Sequence, residues 1–193
     1  MMRVISGKAK GRKLKRVPGD TTRPIMDRVK ENLFNLLGTA DVVGARWLDL
    51  FAGTGQVGIE ALSRGAAEVV FVDNARQAVR TVQENLATTG LAKGAKVVQA
   101  NAFSYLQRTD AERFDLIYVA PPQYLGLWQE VMVALDKRPF ALLKPDGLVV
   151  VQIDPKEYEV LALTHFEVFD ERKYGNTLLV FYELKRGGDS VIG

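Results

Sequence analysis

The sequence predicts an α/β protein: a doubly wound, mostly parallel seven-stranded sheet ending in an antiparallel hairpin, with a basic hairpin and a helix placed before it. Three observations predict it. From residue 46 onwards short apolar runs alternate with helical patterns, as in a parallel sheet covered on both faces. A glycine-rich segment follows the first of these runs. Near the end the alternation stops and two consecutive strand-like runs share a turn.

The elements follow in order. In "RVISGKAKGRKLKRV", Gly7 and Gly11 flank "KAK" and short apolar runs lie on either side, which predicts a hairpin studded with cations. "PIMDRVKENLFNLLG" places Ile25, Val29, Leu33, Leu36 and Leu37 at helical spacing, with Pro24 in the first turn and Gly38 as a stop. An amphipathic helix over 24–38 follows. Then come the strand "RWLDLFA", a helix over 56–64, the strand "EVVFVD", a helix over 75–88, the strand "KVVQAN", a short helix over 103–108, the strand "FDLIYVA", a helix over 124–137 and the strand "GLVVVQI". "HFEVFDERKYGNTLLVFYEL" supplies two further strands turning at Gly175 and Asn176. The last residues read as a disordered tail. The chain thus divides into a basic hairpin and helix (1–40), a main domain (41–185) and a tail (186–193).

Composition narrows the chemistry. A chain of 193 residues, 47% hydrophobic and 25% charged, has the proportions of one globular domain with a sizeable core. The absence of cysteine excludes a disulfide framework and thiolate metal sites, and a single histidine leaves little for zinc. No metal is expected. Neither a signal-like segment nor an apolar run approaching the roughly 20 residues of a membrane span is present, so a soluble cytoplasmic protein is expected, by default a monomer. The charge is unevenly placed: residues 1 to 30 carry ten Lys or Arg against Asp20 and Asp27, a balance of +8 in a chain of net +3. Arg3, Lys8, Lys10, Arg12, Lys13 and Lys15 form most of this cluster, which suits neutralisation of phosphates and makes nucleic acid the leading partner. Solubilisation, or protection of a strand edge by lysines, is the alternative.

In a sheet of this kind ligands bind beyond the carboxyl ends of the strands. The first strand ends in "DLFAGTGQVG", where Gly53, Gly55 and Gly58 have the GxGxxG spacing that lets backbone turn tightly and approach a ligand. Asp49, four residues before Gly53, suits an ammonium group better than a pyrophosphate. Asp73 ends the second strand, where an acid can take both ribose hydroxyls. Together they suggest an adenosine carrying a cationic group, the character of S-adenosylmethionine. Asn101 can face an adenine beside Ala102 and Phe103, or cap a helix, or do both. After the fourth strand, "APPQY" puts two prolines where the ladder should end. These supply carbonyls without amide donors on a rigid edge, and sheet order sets that edge across the cleft from the glycine loop. The position suits an acceptor's amino group.

"DLFAGTGQVGIEALSRGA", the acid of "FVDNA" and a Pro-Pro motif after the fourth strand resemble the Rossmann-like class I S-adenosylmethionine-dependent methyltransferases. More narrowly, "MRVISGKAKGRKLK", "TRPIMDRVKENLFNLL" and "YGNTLLVFYE" resemble the RsmD-type enzymes, which methylate the exocyclic N2 of a guanine in 16S ribosomal RNA. The resemblance spans residues 2 to 184. It implies a cofactor site of Asp49, Phe51, Ala52, Gly53, Thr54, Gly55 and Gly58, with Asp73 and Asn74 at the ribose and Asn101 and Ala102 near the adenine. S-adenosyl-L-homocysteine would be the product. Arg23 and Arg28 would lie near the cleft mouth, on RNA phosphate or cofactor carboxylate, or in surface ion pairs. The partner implied is small-subunit ribosomal RNA or a subunit assembly intermediate.

The catalytic motif departs from its relatives. Enzymes that methylate exocyclic amines usually show Asp or Asn, Pro, Pro and an aromatic, whereas here Ala120 and Gln123 flank Pro121 and Pro122. The expectation is that the carbonyls of Ala120, Pro121 and Pro122, helped by the Gln123 side chain, orient the amine while Tyr124 stacks on the base. Three other readings compete: methylation of adenine N6 in DNA, a nicotinamide-dependent oxidoreductase, and an RNA-binding assembly module of degenerate methyltransferase fold. Trp47 reads as core, Trp128 as core or, with Leu127 and Tyr124, as part of a base pocket, His165 as an edge residue, and Asp115 as a strand start. Asp154 reads as a turn residue with Pro155 or as one approaching the site.

Overall fold

The computed structural model describes residues 2–19, 25–108 and 112–186. In chain order the helices are α1 (Asp27–Leu37), α2 (Gln56–Ser63), α3 (Arg76–Thr89), α4 (Ala102–Leu106), α5 (Leu127–Lys137) and α6 (Pro139–Leu142). The strands are β1 (Arg46–Asp49), β2 (Glu68–Asp73), β3 (Ala95–Gln99), β4 (Phe114–Val119), β5 (Leu143–Ile153), β6 (Phe166–Tyr174) and β7 (Thr177–Leu184). They form one seven-stranded sheet in the order β3-β2-β1-β4-β5-β7-β6. The first five strands run parallel, and β7 pairs antiparallel with both β5 and β6. The predicted α/β class is therefore observed, with the hairpin turning at Gly175 and Asn176 as expected.

The central strands are buried on both faces because helices cover each side, which is why they read as continuous apolar runs. One layer packs Val29, Leu33 and Phe34 of α1, Ile59 of α2 and Val82 of α3 against Trp47, Phe71 and Tyr118. The other packs Tyr105 of α4 and Trp128, Val131 and Met132 of α5 against Leu48, Val70, Ile117 and Val149. Both tryptophans are fully buried, as predicted.

Several boundaries differ from the sequence reading. β1 stops at Asp49, so Leu50, Phe51 and Ala52 belong to the following turn, although Leu50 and Ala52 still donate backbone bonds to the Tyr118 and Val72 carbonyls at 3.0 Å. α5 starts at Leu127 rather than 124, because Tyr124 (φ 61°) and Gly126 (φ 70°) both lie in the left-handed region that a helix cannot use. β5 starts at Leu143, four residues early: Leu143 pairs with Phe114, and the register then shifts across "KPDG" before Leu148 pairs with Leu116. α6 had no counterpart in the sequence reading. α1 begins at Asp27, and Pro24 and residues 187–193 lie outside the described residues.

The N-terminal hairpin forms around one antiparallel bridge, Arg3 with Lys13, supported by backbone bonds from Val4 to Arg12 (2.9 Å) and from Leu14 to Met2 (2.9 Å). Met2, Val4, Ala9 and Leu14 are buried in the same layer as α1, α2 and α3, so the hairpin packs on the main core. At Gly7 (φ 82°) a Cβ would stand 1.9 Å from the Ser63 carbonyl oxygen, and only glycine allows the hairpin to lie this close to the end of α2.

Candidate active site

The carboxyl ends of β1, β2, β3 and β4 open onto one cleft of about 970 Å³, as expected of a ligand site in an open α/β sheet. Asp49, Phe51, Ala52, Gly53, Thr54, Asp73, Asn74, Asn101 and Ala102 all border it, as do Ala120, Pro121, Pro122 and Gln123 on the opposite side. The residues singled out from four separate strand ends are thus brought together.

Asp49 closes β1 and is 3% exposed, accepting one backbone bond, from Gly58 at 3.3 Å. Burial pushes its carboxyl up to about 8, the charge of Asp73 adds to this, and the Gly58 N–H opposes it. An unliganded carboxyl raised in this way is stabilised in its charged form by an arriving cation. Asp73, at the end of β2, accepts from the N–H groups of Gly53 and Ala75, both at 2.9 Å. These bonds fix the carboxylate while leaving lone pairs for two hydroxyls.

The three glycines have different tasks. Gly53 (φ 55°) and Gly55 (φ 74°) take left-handed backbone that shapes the loop. At Gly58 a Cβ would fall 2.3 Å from the Phe71 ring, so this residue permits α2 to pack on β2 and faces the sheet rather than the ligand. Asn101 caps α4 through its side-chain oxygen, which accepts from Phe103 (2.9 Å) and Ser104 (3.3 Å); its amide N–H groups are left for the cleft.

Beyond β4 the chain turns sharply. Tyr124 is not among the residues that line the cleft; it is 61% exposed, with its N–H donating to Glu157 and its hydroxyl bonded to Asp154. The Asp154 carboxyl is held below its ordinary range by the Lys156 N–H and by Tyr124, so it serves both as the turn residue expected and as an anchor for Tyr124. His165 meets Asp136 at the sheet edge, as expected, and Asp115 takes a bond from Arg46 N–H (2.8 Å) and an ion pair with Lys144 (2.8 Å).

Of the basic residues, Lys8, Lys10, Arg12, Lys13 and Arg28 are exposed, Arg3 pairs with Asp27 (3.1 Å) and Lys15 with Glu84 (2.9 Å). Arg23 lies outside the described residues. Four contributors escaped the sequence reading. Arg16 and its neighbours through Gly19 form one wall of the cleft. Asn85, buried on α3, donates to the Thr54 carbonyl (2.9 Å) and also holds both backbone groups of Lys15, at 2.8 and 3.1 Å. Tyr118 and Gln152 line the floor beside Ala120 and bond to each other. The signal was faint: a single polar residue inside "LVVVQI" and a tyrosine inside "DLIYV". Among the described residues no group of three His, Cys, Asp or Glu could hold a metal ion, and no helix is long and apolar enough to cross a membrane.

The family model described as "Conserved hypothetical protein 95" matches residues 2–183. The chain belongs to this RsmD-type methyltransferase family. It is 39% identical over 96% of its length, and over all of the relative's, to a Bacillus subtilis (strain 168) protein named "Putative rRNA methyltransferase YlbH". To the Ribosomal RNA small subunit methyltransferase D of Escherichia coli (strain K12) it is 32% identical, covering 98% of this chain and 93% of that protein. The solved structure of Escherichia coli yhhF superposes with a TM-score of 0.83 at 33% identity, over 95% of this chain and 97% of that one. The RsmD-type chain thus carries the family's class I methyltransferase sheet together with its Ala120 and Gln123 departures.

Proposed function

We propose that this RsmD-type protein transfers a methyl group from S-adenosylmethionine to the exocyclic N2 of a guanine in small-subunit ribosomal RNA. The observation that carries the reading is the convergence of Asp49, Asp73 and the Pro-Pro edge on a single cleft. The relatives named as ribosomal RNA methyltransferases support the acceptor class.

The residues fit the cofactor. Asp49 is a buried carboxyl with no cationic partner among the described residues, and it suits an ammonium; Asp73 suits the ribose hydroxyls. S-adenosylmethionine supplies the methyl group on a sulfonium. Asn101 and Ala102 lie where an adenine edge can meet an amide and an apolar wall.

On the acceptor side, the guanine amine is a weak nucleophile because its lone pair is delocalised into the ring. The Ala120 and Pro121 carbonyls accept its N–H bonds and turn the lone pair toward the methyl, a task of positioning and fixed dipoles rather than of a strong base. The N–C bond would form as the methyl left its sulfur, and one amine proton would pass to solvent water, the carbonyls being hydrogen-bond acceptors too weakly basic to keep it. The target base must be presented unpaired, since its Watson–Crick edge is occupied in a duplex. The basic hairpin, on the same layer as the cleft wall, holds flanking phosphates.

The acceptor class is tested by labelled methyl transfer to three substrates: small ribosomal subunits lacking their modifications, the free ribosomal RNA, and duplex DNA. Incorporation into subunits or ribosomal RNA in preference to DNA is expected. Preference for DNA would overturn the reading in favour of adenine N6, and cofactor binding without incorporation anywhere would favour an assembly factor.

A further inference from the structure

The missing side chain at Ala120 leaves the amine to backbone carbonyls alone, and the neighbouring strand brings a different polar group beside them. We propose that Gln152, held by Tyr118, reads the guanine: its amide N–H groups donate from β5 to O6, while the amine stays on the carbonyls of the Pro-Pro edge. This inference rests on the guanine reading above.

Register and facing carry it. Val119 pairs with Val151 in the parallel β4–β5 ladder, so the next residues along, Ala120 and Gln152, lie side by side. Tyr118 and Val150 belong to one hydrophobic layer and Ala120 packs against it; with side chains alternating along a strand, Gln152 projects to that same face. Tyr118 sits opposite Val150 and reaches its diagonal neighbour, donating its hydroxyl proton to Gln152 Oε1. Both side chains border the cleft together with Ala120, Pro121 and Pro122.

The bond decides what Gln152 can offer. Tyr118 is 2% exposed and its hydroxyl finds its partner in Gln152, so the amide oxygen is engaged and the Nε2 donors are the end left for a ligand. Guanine carries an acceptor at O6 where adenine carries an amino donor. O6, N1 and N2 lie in a row along the guanine edge, so a base whose amine meets the Ala120–Pro121 carbonyls turns O6 toward the next strand, about 4.8 Å away. A fixed donor there accepts guanine and opposes adenine. A glutamate would present acceptors only and repel O6.

The experiment compares wild type with Gln152→Ala, Gln152→Glu and Tyr118→Phe for methyl transfer to unmodified small subunits, identifying the nucleoside formed and measuring cofactor Kd and Tm alongside. Loss of one hydrogen bond to the base predicts kcat/KM lower by about 10- to 100-fold for Q152A. Q152E should lose at least as much, and Y118F about tenfold, because an untethered amide can turn over. In the Y118F/Q152A double variant the loss should not exceed that of Q152A, since Tyr118 acts through Gln152. Cofactor Kd should stay within about twofold, as no contact to it is removed. If wild type forms N2-methylguanosine and the Gln152 variants match its kcat/KM, this inference falls while the proposed function stands. A parallel rise in cofactor Kd would also overturn it, by placing Gln152 in the cofactor site. If wild type forms no N2-methylguanosine, the guanine reading and this inference fall together.

Discussion

Lys30 of α1 and Glu60 of α2 form an ion pair at 3.4 Å with neither side chain exposed. Glu60 also accepts from the N–H groups of Ile5 (2.8 Å) and Ser6 (2.9 Å) and from Arg64 Nε (2.8 Å), while Lys30 Nζ donates to the Arg3 carbonyl (2.7 Å). The pair therefore joins three elements: the basic hairpin, the helix after it, and the helix that begins in the glycine loop. Burial pulls the Lys30 amine below its ordinary value, and Glu60 pulls it back.

Removing one partner strands the other in the core. Glu60→Ala should cost about 3–5 kcal/mol in chemical denaturation, and Glu60→Ala with Lys30→Met should recover part of it. A loss below about 1 kcal/mol in the single variant would show that the hairpin is not held through this pair.

If Asp49 meets the ammonium as proposed, cofactor binding acquires a pH dependence with a definite sign. With its carboxyl pushed up to about 8, it is mostly protonated in the free protein at neutral pH, and an ammonium favours the ionised form. Binding should release a proton, and affinity should rise between about pH 6 and 7.5 by up to tenfold per unit. Calorimetry in buffers of different ionisation enthalpy measures the proton; Asp49→Asn should abolish it and bind more weakly. In the free protein the same raised value stabilises the fold below about pH 4, and that contribution is lost as pH rises through about 8.

Asn85 links the cofactor loop to the N-terminal segment. Asn85→Ala removes bonds to Thr54 and Lys15 and leaves buried backbone groups unpaired, so a loss of about 1–3 kcal/mol in stability is expected. Cofactor affinity should fall by about tenfold, because the loop carbonyl at Thr54 loses its support. Unchanged cofactor Kd would confine Asn85 to a role in stability.

The hairpin cations set the salt dependence of RNA binding. Each of Lys8, Lys10, Arg12 and Lys13 that contacts phosphate should, when changed to Gln, lower the slope of log K against log salt by about 0.7 to 0.9. Fluorescence anisotropy across a salt series reads this directly, and slopes unchanged in all four variants would assign the cluster to solubility.

The sheet and the glycine loop at the cleft were legible because each depends on local pattern: apolar runs, glycine spacing and an acid at a strand end. What was not legible depends on contacts made at a distance. The burial of Lys30 and Glu60 was not foreseen, since nothing near them in sequence announces the hairpin that covers them. Asn85 meets residues 31 and 70 positions away. The early start of β5 was hidden because Leu143 pairs with Phe114 across a register shift, a contact between residues 29 positions apart that "KPDG" does not announce. Gln152 gained its meaning only when the β4–β5 register set it beside Ala120.

The most direct test of the account is nucleoside analysis of unmodified small subunits after incubation with the protein and labelled S-adenosylmethionine. Label in N2-methylguanosine is predicted, and would show that the transfer proceeds without an acid or amide at position 120. Label in N6-methyladenosine, or none while the cofactor still binds, would contradict it.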